Sequence, residues 1–336
     1  MLFARAPYRL SLFGGGTDYP EYFKDNKCLV LSVAINKHCY ISLRNLPPYF
    51  NTHKSRFVWS KIELVSELSE ISHVGARNIL EYFQVDDDLE LHHFGDLPSR
   101  SGIGSSSAFT VALITAITKH KKISLSGFDL AKTAIHIEKN MNNENVGIQD
   151  QITSSLGGLL RIDAYNDEIN AQAVLAPKDY LSKLEDSILL GFYGNPRSAE
   201  YFSAKATQGI KSGRDISALR NINQIAEEAL ASIQAECEIE VLGKLIDETW
   251  RLKLELSSRD ASLDDICLMF ETAKKCGAYG GKLMGAGGSG FFYLLAPPET
   301  HDIIKSCLST VKVWLGISFD YVGAAVQDSV ENWQRA

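Results

Sequence analysis

Asp96-Leu97-Pro98-Ser99-Arg100-Ser101-Gly102-Ile103-Gly104-Ser105-Ser106-Ser107-Ala108 joins a strand-like run, Leu89 to Phe94, to an apolar helical one, Phe109 to Ile117. Two glycines permit positive φ and let a ligand approach the backbone closely. Three serines follow where the helix begins. They bring hydroxyls and unpaired N–H groups to the positive end of the helix dipole. A strand, a Gly/Ser loop and a helix N-terminus make an anion site, most often for phosphate. Gly and Ser are equally at home in an ordinary capped turn, so the loop alone supports both readings. It has neither the lysine of a Walker P-loop nor the glycine spacing that opens a Rossmann unit.

Upstream, residues 1–13 alternate as a strand and meet Gly14-Gly15-Gly16-Thr17-Asp18-Tyr19. Three glycines at a strand end predict a turn whose backbone comes close to something, or a plain glycine turn capped by Asp18. Alternation over 29–44 predicts paired strands, ended by Pro47-Pro48, and residues 71–83 a short helix. His92-His93 do not predict a metal centre, because adjacent strand residues point to opposite faces.

Downstream, Ser126 caps a helix with a buried stripe through Ile137, which makes Glu138 a carboxylate near its disfavoured C-terminal end. An exposed helix glutamate is the ordinary explanation. Val146-Gly147-Ile148-Gln149-Asp150-Gln151 embeds one aspartate in an apolar turn, where helix capping is the ordinary role. Leu160–Asp163 predicts a strand and 164–185 an irregular polar boundary. A strand at 188–193 is then expected, followed by helices near 199–211, 215–236, 239–257 and 263–276. Gly280 to Gly290 holds too many glycines for a stable element interior, yet it runs straight into an apolar strand, Phe291–Leu295. A helix (299–309) and a strand near 317–326 close the chain.

Composition narrows the classes. A chain of 336 residues predicts two domains. A net charge of −7 argues against a nucleic-acid partner. No apolar run approaches the length of a membrane span, and the N-terminal residues lack the apolar core of a signal peptide. The six cysteines are scattered without a C-x-x-C pair, so reduced thiols in a cytoplasm are expected rather than zinc or disulfides.

Pro98-x-x-x-Gly102-Ile103-Gly104-Ser105-Ser106-x-Ala108 resembles the central motif of the GHMP kinases. Ala6 to Tyr19 resembles the first motif of that family's sugar-kinase branch, with Gly15-Gly16 where galactokinases carry Glu-His. Gly285-x-Gly287-Gly288-x-Gly290 resembles the third, and the three occur in family order. The resemblance implies an α/β (α+β) two-domain fold. Its parts would be a ribosomal-protein-S5-like ATP-binding domain, 1–185, and a ferredoxin-like, helix-rich domain, 186–336.

The resemblance also implies ATP and Mg²⁺ as cofactors. Ser101, Gly102, Ile103, Gly104, Ser105, Ser106 and Ser107 would bind the nucleotide phosphates. Ser106 and Glu138 would hold the metal, Asp150 would act as base and Arg9 would lie beside the moving phosphoryl group. Gly15, Gly16, Thr17, Asp18, Gly287 and Gly288 would line the acceptor. Among family branches the motifs most resemble kinases of heptose 7-phosphates, which implies transfer to an anomeric hydroxyl. A basic group must then meet the acceptor's phosphate, and Arg197 is the candidate, a solvated loop arginine being the alternative. A kinase of a neutral sugar such as fucose or galactose is the runner-up, and a non-catalytic sugar sensor the third reading. Small molecules are the expected partners, with no membrane; a homodimer is allowed.

Overall fold

In the computed structural model the described residues are 1–49, 53–85, 88–194, 208–210, 213, 215–256, 263–285 and 290–328. Twelve strands occur among them: β1 (Leu2–Phe13), β2 (Cys28–Asn45), β3 (Ser55–Val58), β4 (Ile62–Val65), β5 (Leu89–Gly95), β6 (Leu159–Tyr165), β7 (Glu168–Ala173), β8 (Ile188–Tyr193), β9 (Gly280–Leu283), β10 (Gly290–Leu295), β11 (Val313–Leu315) and β12 (Ala325–Asp328). The helices are α1 (Pro20–Phe23), α2 (Val74–Tyr82), α3 (Ser105–His120), α4 (Gly127–His136), α5 (Gln149–Leu156), α6 (Lys178–Asp186), α7 (Ile216–Gln234), α8 (Ile239–Leu256), α9 (Asp264–Lys275) and α10 (His301–Cys307).

One sheet runs β12-β1-β2-β5-β3-β4, with β6 and β7 branching from β2; the other runs β11-β8-β10-β9. The architecture is mixed α/β, as the sequence leads one to expect. Helix α3 is buried along almost its whole length, from Ser107 to Thr118. A helix apolar on every side belongs in a core, and α3 packs on β1 and β2. Its buried Thr115 and Thr118 hydroxyls donate to the carbonyls of Val111 and Ile114, four residues back, so no polar group is stranded.

Four expectations are corrected. Residues 28–45 form one long strand rather than two. Between Pro7 and Arg9, β1 advances two residues while β2 advances four, from Ala34 to His38. This extra length bends the strand without a turn, and alternation continues through it, so the pattern conceals the bend. Residues 164–185 are ordered: β7 pairs with β6 as a hairpin and α6 follows. The polar character of 168–173 reflects β7's exposure, not irregularity. Cys276 and Cys307 form a disulfide between the end of α9 and the end of α10, contrary to the expectation of reduced thiols. Their sequence separation of 31 gave no pairing signal.

The final strand also lies later than the sequence suggests, at 325–328, because residues 318–320 spend their backbone groups on the β2 bend. β12 returns to pair antiparallel with β1. A cut at 185/186 would therefore leave the last strand in the first sheet. One apolar cluster runs through both sheets, from Leu10 and Leu12 to Tyr293 and Leu295.

Candidate active site

Arg9 sits on β1 just after the bend in its pairing and is 5% exposed. Its Nε and Nη2 donate to the two oxygens of Asp150 at 2.7 and 2.9 Å, the two-pronged geometry that suits guanidinium to carboxylate. Its Nη1 donates to the carbonyl of Gly102 at 2.6 Å, and its backbone N–H to the carbonyl of Ile103. One arginine thus ties β1, the Gly/Ser loop and α5 together. Asp150 lies in the first turn of α5, where the helix dipole favours a carboxylate. It remains partly open, with 26% of its side chain exposed.

The Gly/Ser loop is built by its glycines. Gly102 and Gly104 have φ of +85° and +73°, and Gly104 caps α3. A Cβ on Gly104 would lie 3.1 Å from Asp150 Oδ2, so the start of α3 and the clamped carboxylate are in contact. The β9–β10 hairpin leans on the same loop. Phe291 N–H donates to the carbonyl of Ser101, and a Cβ on Gly285 would meet Gly102 Cα at 2.7 Å.

The serines divide their work. Ser101 is fully buried and its hydroxyl donates to the Pro98 carbonyl, while Ser105 Oγ accepts from the Arg100 N–H. Ile103 sends its side chain into the core. What remains for a ligand is the set of first-turn amides of α3, from Ser105 to Ser107, which no helical carbonyl satisfies.

Glu138 is fully buried, not the exposed glutamate that helix periodicity suggests. The reason is a widened turn at Ile137–Met141, closed by a bond from Asn142 N–H to the Ile137 carbonyl five residues back. Such turns rotate the face that follows and recur at functional sites. Ser107 Oγ and Gln151 Nε2 both donate to Glu138 Oε2, at 2.9 and 2.5 Å. Burial pushes the carboxyl up to about 7, against Thr110, Gln151 and Ser107. Ser106, expected to share a metal with Glu138, is exposed, and Ser107, one residue on, bonds the carboxylate directly. Glu138 Oε1 is buried without a hydrogen-bond partner. An orphaned carboxylate oxygen beside a hydroxyl suits a hard cation that keeps most of its ligands as water and phosphate oxygen.

At the first motif, Asp18 is 7% exposed and accepts from the N–H groups of Gly16 and Gln149. Burial raises its carboxyl above the usual range, with Asp150 adding to the effect and Gly16 opposing it. Thr17 is corrected: it is fully buried, and its hydroxyl donates to the Gly14 carbonyl, so it braces the turn rather than facing an acceptor. Gly15 and Gly16 complete the turn. Arg197, Gly287 and Gly288 lie outside the described residues.

Three further residues went unnoticed in the sequence. Lys253 of α8 places its Nζ 3.7 Å from where a Gly15 Cβ would sit, and Ser11 Oγ lies 2.6 Å from the same point. Lys282 of β9 is fully buried. Its position amid glycines before an apolar strand was a usable signal, whereas Lys253 looks like any surface lysine of an amphipathic helix. Burial lowers the Lys253 amine to about 8, with Arg9 adding and Asp18 opposing, and lowers Lys282 well below its ordinary value.

Residues 71–158 match the model of the GHMP kinases N terminal domain. The chain is 27% identical over 320 residues to the D-glycero-alpha-D-manno-heptose 7-phosphate kinase of Campylobacter jejuni, covering 90% of this chain and 91% of that one. It is 27% identical over 213 residues to the mevalonate kinase of Thermococcus onnurineus, 62% of this chain and 59% of the other. Among solved structures, a D-glycero-D-manno-heptose 1-phosphate kinase from Bacteroides thetaiotaomicron superposes with a TM-score of 0.78 at 21% identity, covering 98% and 99% of the two chains.

Proposed function

We infer that the chain acts as a GHMP-type kinase, a phosphotransferase on an alcohol group, which needs a donor and an acceptor. We propose that the donor is ATP and the acceptor D-glycero-D-manno-heptose 7-phosphate. The anomeric C1 hydroxyl is phosphorylated to the 1,7-bisphosphate, on the way to nucleotide-activated heptose for surface polysaccharide. The observation that carries the transfer chemistry is the contact between the start of α3 and the Arg9-clamped Asp150. A donor phosphate on the α3 amides lies next to the carboxylate that receives the acceptor hydroxyl.

Phosphoryl transfer passes through a loose transition state and needs alignment and charge neutralisation more than covalent help. Asp150 therefore orients the C1 hydroxyl and takes its proton as the bond to phosphorus forms. Arg9 fixes that carboxylate and lies within reach of the moving charge. Asp18 and the Gly15–Gly16 backbone hold acceptor hydroxyls. Magnesium, when bound with the nucleotide, neutralises its phosphates; Glu138 and Ser107 would hold it.

The choice of acceptor rests on the Campylobacter relative, whose match runs nearly end to end, and on the small Gly15-Gly16 turn. The test is ATP turnover against heptose 7-phosphate, free heptose, galactose and fucose. Heptose 7-phosphate is expected to lead by at least about 10²-fold in kcat/KM, the scale of leaving a buried charge unpaired. Equal turnover of a neutral sugar overturns the acceptor and leaves the kinase.

A further inference from the structure

Ser11 and Lys253 meet at the Gly15 turn, Lys282 lies within charge–charge range of Lys253 and Arg9, and the described residues satisfy none of the three. Ser11 is 5% exposed and Lys282 fully buried; Ser11 Oγ and Lys282 Nζ have no hydrogen-bond partner. The contact nearest to a counter-charge for Lys282 is the Tyr293 ring, with Nζ 5.9 Å from its centroid. Lys253 forms no hydrogen bond or ion pair among the described residues. Arg9, the other cation here, is already committed to Asp150.

The charges do not balance internally. Lys253 and Arg9 both repel a proton on Lys282, after burial itself. Asp18 is the carboxylate that Lys253 feels, and burial disfavours its charged form. Buried polar groups are ordinarily paired, and buried ammonium groups nearly always are. Two amines and a hydroxyl without acceptors suit an anion. Ser11 Oγ and Lys253 Nζ lie 2.6 and 3.7 Å from where a Gly15 Cβ would sit, so the missing side chain is what lets both face the turn.

We propose that Ser11, Lys253 and Lys282 form a second anion subsite, beside Gly15, that takes the acceptor's own phosphate monoester. This rests on the sugar-phosphate reading above and assigns its recognition to residues other than Arg197. The donor phosphates are served separately, by the α3 amides. A dianion at this point pairs with both amines and accepts from the serine. It also favours the charged form of Lys282, which burial disfavours, so part of the binding energy is available only to a phosphorylated acceptor.

The test separates this subsite from the choice of sugar. Inorganic phosphate is titrated calorimetrically into the full chain saturated with magnesium and a non-hydrolysable ATP analogue. Lys253→Met is expected to weaken phosphate at least about 10-fold and Ser11→Ala by less. Lys282→Met is expected to abolish the binding yet raise the melting temperature, because it removes a buried amine that has no partner. In turnover, Lys253→Met should lower kcat/KM for heptose 7-phosphate by about 10²-fold and leave free heptose within about twofold. Unchanged phosphate binding in Lys253→Met and Lys282→Met overturns the subsite, as does an equal loss for both acceptors. If phosphate binding follows this pattern but no heptose is turned over, the acceptor reading fails and the subsite stands.

Discussion

Arg9 grips Asp150 with two nitrogens and holds the Gly102 carbonyl with a third. Among the described residues it is the one side chain bonded at once to the loop at the helix start and to the carboxylate beside it. Asp150→Asn is therefore expected to keep the fold and nucleotide binding while lowering kcat by about 10²-fold, the scale of losing a positioned base. Arg9→Met should cost a similar factor. Because the two act as one unit, the double variant should be no worse than about tenfold below either single one. Steady-state kinetics of the four proteins check this; multiplying losses would mean the residues act separately.

Glu138 gives a pH signature. Its carboxyl titrates near 7 in the fold against 4.5 ordinarily, so the folded state keeps a proton that the unfolded chain has lost. Stability from this group is complete below about 4.5 and is lost as the pH rises through 7. Urea unfolding without metal should show the native protein weakening between pH 5 and 8, and Glu138→Gln should flatten that slope. The same variant should raise the magnesium concentration required for turnover. Identical slopes in the two proteins would take Glu138 out of this account.

Gly147 lies where a Cβ would sit 2.0 Å from Asp18 Oδ2. Gly147→Ala must push Asp18 aside, which should raise the acceptor KM more than the ATP KM. Equal changes in the two constants would show that Asp18 does not report on the acceptor.

Gly102 combines a φ of +85° with a Cβ position 2.6 Å from the Met284 carbonyl. Gly102→Ala should cost about 1–3 kcal/mol through backbone strain alone and weaken nucleotide binding as the loop shifts. Thermal unfolding and nucleotide titration test both halves.

Much of this site was legible because its chemistry sits in contiguous runs. The Gly/Ser loop, the glycine turn and the Gly147–Gln151 segment each announce themselves by residues that ordinary elements avoid. Glu138 drew notice, yet its burial depended on a widened turn that no periodicity reveals. The choice between Ser106 and Ser107 is a rotation of one helical position, beyond what a serine run can specify. Thr17 reads as a polar group at a strand end, and only the fold shows its hydroxyl turned back on Gly14. Lys253 and Lys282 arrive from α8 and β9, more than 200 residues from Ser11, and tertiary folding alone brings them together. The same holds for Cys276 and Cys307, and for the return of β12 to β1.

In the proposed reaction the phosphoryl group goes to the anomeric oxygen of a heptose that already carries a phosphate. Phosphorus-31 and carbon-13 NMR of the product formed from ATP, magnesium and D-glycero-D-manno-heptose 7-phosphate tests it most directly. Two phosphomonoester signals are expected, one coupled to C1 and one to C7, appearing with stoichiometric ADP. A new phosphate on any other carbon, or ADP formation independent of the sugar, would contradict it.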